Sequence, residues 1–314
     1  MGAPSRPRKG SLQYVPKHRA AKFLPSANWK MVKGKGILGF IGYKVGMATA
    51  IVKDNTPDSM VKGLQRAIPV TILEMPNMKI FSIRFYNKGI VAKDVIVSND
   101  KELNSVVKMP KALGNIEAPK EYDDVRTVAY SLTSQTSVKK TPDIIEIALG
   151  ADTKEAKLEL AKSFVGKEIP FHDFAKTELV DVRGLTKGKG FTGPTKRFGL
   201  SLRANKSEKG RRGPGSIGPW HPARITFRTP RAGQMGMFAR VSLNQKLVAT
   251  GKISEKNINP ISGFNRYGNI KTSYAIIKGS VQGPPKRQVL ITPSFRPTKL
   301  KQKQKFDFIN LEIH

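Results

Sequence analysis

The sequence predicts a mainly β protein, in which an antiparallel β-barrel carries an inserted α/β domain and long basic extensions that are not globular. Short apolar runs bounded by turn residues recur along the chain, and one amphipathic helical pattern lies near its middle. The 314 residues include 56 Lys and Arg against 23 Asp and Glu, a net charge of +33. An excess of that size implies strong attraction to a polyanion, either a nucleic acid or an anionic membrane face.

The predicted barrel strands are short runs rich in β-branched and aromatic residues. They are 37–52, 68–75, 80–86, 89–97, 178–182, 273–281 and 287–292. Several short strands with glycine-rich connections are typical of an antiparallel barrel. We therefore assign the barrel to 36–94 and 176–314, with an interruption at 184–240.

The inserted domain is predicted at 95–175, where the charge is nearly balanced. From Asp94 to Asp181 there are sixteen acidic and twelve basic residues. Residues 142–149 form a candidate strand, and 152–167 form the clearest helical pattern, with Asp152 and Glu155 at capping-box spacing and Gly166 as its terminator. The apolar residues of one helix face are Ala156, Leu160, Ala161 and Phe164.

Two basic segments carry most of the remaining charge. Residues 1–35 are predicted to form an N-terminal arm, and 184–240 a central extension. From Arg183 to Arg240 fourteen Lys or Arg accompany a single acid, Glu208. Disordered linkers are usually poor in aromatic residues, but this segment contains Phe191, Phe198, Trp220, Phe227 and Phe238. We therefore expect the extension to become ordered on a partner.

The sequence gives little support to an enzyme. It has no cysteine, and its four histidines show no helix-face spacing for a metal. The pattern G-x-G-x-x-G occurs at 34–39, 188–193 and 213–218, but none has the strand, turn and helix of a dinucleotide site. After the second match, Pro194 and Gly199 argue against a helix. We predict no catalytic activity and no cofactor, and no apolar run reaches the length of a membrane span.

Basic, aromatic and glycine residues interleaved in one segment favour folded RNA as the partner. Phosphates attract the cations, and unstacked bases lie on aromatic or guanidinium planes. A reader of duplex DNA more often carries its charges on a recognition helix, and no helical pattern is present in 184–240. The remaining alternative for any one of these cations is a solvated surface charge.

The segment FAKTELVDVRGLTKGKGFTGPTKR, residues 174–197, resembles the signature of the universal large-subunit ribosomal protein three family. The matching positions are Phe174, Asp181, Gly184, Thr186, the GKG at 188–190, Gly193 and Arg197. Further blocks at 10–20, 40–47, 218–225 and 231–237 are similar to the family in the same order, and the basic N-terminus and the end at His314 resemble its archaeal members.

The resemblance implies a Greek-key barrel like that of translation factors and extensions buried in rRNA. It implies that the central extension reaches toward the peptidyl transferase centre, with Trp220 at its tip near the A-site entry and the N-terminal arm close by. The implied partners are the 23S rRNA of the large subunit, including its 3′ region, and neighbouring ribosomal proteins, with tRNA affected only indirectly. Structural Mg²⁺ or K⁺ would be held by the rRNA rather than by the chain.

We therefore predict a structural, non-catalytic constituent of the large ribosomal subunit, in the cytoplasm and without a membrane partner, that supports early subunit assembly. The alternative is an RNA-binding assembly or modification factor outside the ribosome. The predicted rRNA-binding residues are Lys17, His18, Arg19, Lys35, Lys187, Lys189, Lys196, Arg197, Arg203, Lys206, Arg211, Arg212, Trp220, His221, Arg224, Arg228, Arg231 and Arg240.

Overall fold

The computed structural model describes residues 17–174 and 177–313. Most of the regular structure is antiparallel β, so the predicted fold class is confirmed at that level. The strands are β1 (Gly36–Ile37), β2 (Phe40–Asp54), β3 (Gln65–Met75), β4 (Met78–Asn87), β5 (Ile90–Ile96), β6 (Asp124–Ser131), β7 (Ile144–Gly150), β8 (Leu179–Leu185), β9 (Phe191–Thr192), β10 (Gly233–Gln234), β11 (Ala239–Lys252), β12 (Ser273–Lys278), β13 (Gln288–Pro293) and β14 (Phe306–Glu312).

The larger sheet closes on itself. Its order is β13-β8-β11-β12-β3-β2-β14, and an additional pairing joins β13 to β2. The first residues of β2 close the sheet, because Phe40–Tyr43 pair with β13, while Thr49–Asp54 extend beyond this pairing and pair with β14. Six strands therefore form a ring, which leaves β14 as the added edge strand.

The smaller sheet has the order β1-β7-β6-β4-β5. β4 pairs with β5 on one side and with β6 on the other, so this sheet takes in residues from Met78 onward in addition to β1. The predicted insertion boundary at 95 therefore falls too late in the chain. The predicted boundary follows the change in charge along the sequence, and surface charge does not determine which strands pair.

The helices are short. They are α1 (Lys154–Ser163), α2 (Phe171–Phe174), α3 (Pro194–Phe198) and α4 (Lys299–Lys303), with 3-10 turns at Trp29–Met31, Lys101–Ser105 and Thr133–Gln135. The helix predicted at 152–167 is confirmed as α1, which packs on β6 and β7. Its cap differs from the prediction, because the Thr153 side chain, one residue beyond Asp152, accepts the hydrogen bond from the Ala156 amide.

One apolar core extends through both sheets. Phe40 on β2 meets Phe171 edge-on, with 5.2 Å between the ring centroids. Three polar side chains form hydrogen bonds with one another beside this core. The buried Tyr43 hydroxyl donates to Asp143 Oδ2 at 2.6 Å and lies 2.8 Å from Ser131 Oγ. Burial and the neighbouring Asp143 carboxylate raise the pKa of Tyr43 well above its ordinary value, so the phenol remains a donor.

The chain divides into two compact units. Among the described residues, one comprises 22–174, 177–184 and 240–313, which hold both sheets, and the other comprises 17–21 together with 185–239. The predicted arm, 1–35, is thus divided between the two units at residue 21, and its first sixteen residues lie outside the described part of the chain. Residues 185–239 of the second unit lie within the predicted extension, 184–240, whose role in rRNA binding stays a prediction.

Candidate nucleic-acid interface

The central extension is built on an antiparallel hairpin stem. Near its base, the Thr186 amide donates to the Phe238 carbonyl at 3.0 Å. Further along, the Lys189 amide donates to the Met235 carbonyl at 2.9 Å, and β9 then pairs with β10. The two chain segments therefore run side by side from residue 186 to residue 192, which gives the predicted loop a defined backbone.

A short helix follows the stem, where the sequence predicted none. α3 begins at Pro194 and ends at Phe198, and Gly199, which caps it, has a φ of 65°. Proline is tolerated in the first turn of a helix because the amide it lacks would have no partner there, and glycine readily adopts the left-handed C-terminal conformation. The two residues that argue against a helix in the sequence therefore mark its two ends, Pro194 as the first residue and Gly199 as the cap.

Arg197 fastens the helix to the opposite strand of the stem. Its Nε donates to the Gln234 carbonyl and its Nη1 to the Arg231 carbonyl, both at 3.0 Å. Gly233 lies against the guanidinium, since a Cβ at this position would stand 2.9 Å from Nη1. Burial lowers the pKa of Arg197 from its ordinary value. This predicted RNA ligand therefore uses two of its donors within the protein.

Arg203 has a similar internal role in the next loop. Its Nη2 donates to the carbonyls of Pro214 and Gly215, the latter at 3.2 Å. Its amide donates to the Arg211 carbonyl at 3.1 Å. The guanidinium therefore folds residues 203–215 back on themselves, and a hydrogen bond from Thr195 Oγ1 to the Arg212 carbonyl, 2.8 Å long, ties this loop to α3.

The described end of the N-terminal arm lies along the same hairpin. The Ala20 amide donates to the Met237 carbonyl at 2.8 Å. The Lys17 ammonium stands 5.3 Å from the centroid of the Phe198 ring, which Arg197 also approaches. His18 and Arg19 are exposed beside them. The structure thus brings together residues that are about 180 to 220 positions apart in the sequence.

Most of the predicted binding residues are exposed on this unit. Trp220 lies in the loop that a hydrogen bond from Thr229 Oγ1 to the Ile217 carbonyl closes, and its side chain is 88% exposed. The other exposed members of the predicted set in 185–239 are Lys187, Lys189, Lys196, Lys206, Arg211, Arg212, His221, Arg224, Arg228 and Arg231. Among the described residues, no lysine or arginine of 185–239 forms an ion pair with a carboxylate.

Two predicted ligands, Lys35 and Arg240, belong to the other unit. Lys35 lines an open cavity of about 980 Å³, whose walls also include Asp123 and Asp152. Arg240, on β11, has a carbonyl that accepts from Gln282 Nε2 at 3.0 Å. The mixed charges around Lys35 differ from the uniformly basic surroundings of the exposed cations in 185–239.

A basic surface on the closed sheet was not among the predicted sites. The Lys278 ammonium lies 4.5 Å from the centroid of the Phe306 ring. Burial, with the neighbouring charges of Arg66 and Lys301, lowers the pKa of Lys278. Arg66 lies more than 200 positions before Lys278, Lys301 and Phe306 in the sequence. The lysine-rich run 299–305 was the available sequence signal, but it did not identify the strands beside it.

Within residues 17–174 and 177–313, no three His, Asp or Glu side chains are grouped as metal ligands. No helix in that part of the chain is long and apolar enough to cross a bilayer.

Comparison with known proteins identifies the family. The family model described as "Ribosomal protein L3" matches residues 1–99 and 95–311. The chain belongs to the ribosomal protein L3 family. It is 37% identical over 309 residues to the large ribosomal subunit protein uL3 of Methanothermobacter thermautotrophicus, with 92% of each chain covered. The uL3 protein of Methanosphaera stadtmanae is 38% identical over 310 residues, again with 92% of each chain covered.

A third archaeal relative, uL3 of Methanocella arvoryzae, is 35% identical over 321 residues and covers 96% of the chain. The predicted resemblance to the archaeal branch of the family is therefore confirmed. Membership makes the chain a ribosomal protein, and its relatives are structural proteins rather than enzymes. The alternative of an assembly or modification factor outside the ribosome receives no support from these matches.

Proposed function

We propose that this chain is a structural constituent of the large ribosomal subunit in the cytoplasm and binds its rRNA through the exposed cations of 185–239. The observation that carries the proposal is the ordered basic hairpin, whose cations lack carboxylate partners within the described residues. Cations held this close together repel one another. A polyanion removes that repulsion, and the phosphates of packed rRNA supply it.

The finer assignments follow the family resemblance. We assign the closed sheet to a Greek-key barrel of the translation-factor type that anchors the protein. The hairpin unit would then enter the rRNA, with Trp220 directed toward the peptidyl transferase centre and A-site entry and the N-terminal arm beside it. The 23S rRNA with its 3′ region and neighbouring ribosomal proteins are the proposed partners, and early subunit assembly is the proposed stage of binding.

Salt dependence tests the electrostatic part of the proposal. The slope of log K against log salt is negative, and each phosphate contact that is lost reduces its magnitude by about 0.7 to 0.9. Replacing the exposed pair Arg211 and Arg212 by glutamine should therefore weaken binding to a large-subunit rRNA fragment. The slope should flatten by the amount that corresponds to the loss of up to about two phosphate contacts. Lys101→Gln is the matched control, because Lys101 is exposed and lies in the unit that holds both sheets.

If the wild-type protein binds the fragment with no dependence on salt, the electrostatic mechanism is wrong. If Lys101→Gln flattens the slope as much as a change at Arg211, the interface is not confined to the hairpin. When ribosomes are isolated from cells, the protein should remain with the large subunits through a high-salt wash, at about one copy per subunit.

The two tryptophans allow a sharp test of the tip. Trp220 is 88% exposed, whereas Trp29 is 6% exposed and belongs to the apolar core. Trp220→Ala should leave the melting temperature of the free protein unchanged and alter aminoacyl-tRNA accommodation or the response to A-site antibiotics in assembled ribosomes. Trp29→Ala should instead cost about 3–5 kcal/mol of stability. A loss of stability in Trp220→Ala would contradict the proposed role.

A further inference from the structure

A groove of about 600 Å³ lies within the hairpin unit and has no assigned role. We call it the Phe191 groove. Its walls include Phe191, Pro194, Arg203, Gly215, Ile217 and Arg231. All of these residues lie in 185–239, so α3, the stem and the loop folded by Arg203 shape it together. Its volume is in the range of about 300–1,000 Å³ that is typical of sites for small organic groups.

Phe191 gives the groove a bare aromatic face. Its backbone is fixed by the β9–β10 pairing, in which it stands opposite Gln234. Its side chain is nevertheless 81% exposed. No other ring or cation in the described part of the chain packs on it, in contrast to Phe198 and Phe227, which arginine side chains cover. A large ring held in place by a strand but left uncovered is a ready stacking platform.

The rest of the groove favours an anionic ligand. Arg203 points its Nη2 at the carbonyls of Pro214 and Gly215, and its Nε is buried without an acceptor. Arg231 is exposed at the wall. No carboxylate lines the groove, and Glu208 is the single acid of 185–239. A cationic or neutral peptide would gain nothing from this charge, whereas a nucleotide brings both a ring and a phosphate.

We propose that the Phe191 groove binds one unstacked nucleotide of the rRNA. The base stacks on the Phe191 ring between Pro194 and Ile217, and the adjoining phosphate faces Arg231. The glycine and proline residues of the loop leave room for the close approach of a base. This proposal rests on rRNA binding as the function of the chain and adds to it a single-nucleotide site that lies apart from Trp220.

Removal of the ring has a distinct expected signature. Loss of one stacked base weakens binding about five-fold or more. Because stacking releases no counterions, Phe191→Ala should leave the salt slope unchanged, whereas Arg231→Gln should flatten it by about one phosphate contact. Phe191→Tyr keeps a ring of nearly the same size and should bind like the wild type.

The experiment compares full-length wild type, Phe191→Ala, Phe191→Tyr and the control Phe227→Ala, each bound to the same large-subunit rRNA fragment. Affinity is measured at several salt concentrations, and each base of the RNA is probed chemically. We expect one nucleotide whose reactivity changes with the wild type, Phe191→Tyr and Phe227→Ala but not with Phe191→Ala. Phe227 is the matched control because it is 70% exposed in the same unit but does not line the groove.

The outcomes separate the two levels of the proposal. If the wild type fails to bind the rRNA, the proposed function itself is wrong. If all four proteins bind equally and give the same base reactivities, the function stands and the nucleotide site is wrong. A photo-cross-linking amino acid at position 191 in assembled subunits should react with RNA, and a cross-link to a ribosomal protein would also overturn the site.

Discussion

At the scale of single residues, the contact between Gly233 and Arg197 sets the geometry of the hairpin unit. The guanidinium spans from α3 to the carbonyls of Arg231 and Gln234, and a Cβ at Gly233 would stand 2.9 Å from Nη1, so the guanidinium would have to shift. Gly233→Ala should displace Arg197 and cost about 1–3 kcal/mol in the stability of the stem, since hydrogen bonds from a charged donor are lost. Hydrogen exchange at the amides of Lys189 and Met235, which cross the stem, measures this opening.

Gly193→Ala is the control for that substitution. Gly193 has a φ of −68° and ψ of 163°, which any residue adopts, and a Cβ there would meet nothing within 4 Å. In Gly193→Ala, the stem amides should therefore exchange with solvent at nearly the wild-type rate. Equal acceleration in both variants would show that Arg197 does not hold the stem.

At the scale of elements, a carboxylate joins α1 to the smaller sheet. Asp124 on β6 accepts from Lys157 of α1 at 2.7 Å and from Arg126 at 3.0 Å. Burial alone would raise the pKa of Asp124, but these two cations outweigh it and lower the pKa below its ordinary value. A carboxyl whose pKa is lower in the folded chain stabilises the fold above its unfolded pKa of about 3.9, and that stabilisation is lost as pH falls through the folded pKa.

Asp124→Asn should therefore destabilise the protein by about 1 kcal/mol near neutral pH, and the difference from the wild type should shrink below about pH 4. Urea unfolding of the wild type and of Asp124→Asn between pH 7 and pH 3 measures their free energies of unfolding. Subtracting one free energy from the other cancels the repulsion among the charges that both proteins share. Asp152→Asn is the control, because Asp152 is exposed and Thr153 caps the helix instead. A difference for Asp124→Asn that stays constant to pH 3 would contradict the assignment.

The elements also show which sequence signals were sufficient. β2 and α1 carry strong local patterns, and both were predicted close to their observed bounds. β6, β11 and β14 were not predicted: β11 has Asn244 and Gln245 in its middle, and β14 begins directly after a lysine-rich run. The sequence shows that twelve Lys and Arg are concentrated in 185–239, and their binding to rRNA stays a prediction. It did not reveal that Arg197 and Arg203 bind backbone carbonyls, because those contacts depend on the folded loops.

At the scale of the whole molecule, the two units obtain their order from different sources. The main core cluster is built entirely from residues of 22–184 and 240–314, within the described part of the chain. In 185–239, Leu185 and Phe198 are the only described apolar side chains that are buried, apart from Gly and Pro. Hydrogen bonds from arginine and backbone groups take the place of a core there. The first unit should therefore fold without the second.

A deletion tests that independence directly. Because the Thr186 amide bonds the Phe238 carbonyl, residues 185 and 239 lie beside each other, and an Asn-Gly turn in place of 186–238 should close the hairpin. The shortened protein should keep a cooperative unfolding transition at nearly the wild-type temperature, because no residue of its main core is removed. Its affinity for the rRNA fragment should fall steeply and its salt slope should flatten, since twelve Lys and Arg are lost with one acid. Calorimetry and RNA binding are measured on the same sample of the shortened protein. If that protein is unfolded, the two sheets depend on the hairpin for their stability. If it binds RNA like the wild type, the interface lies outside the hairpin.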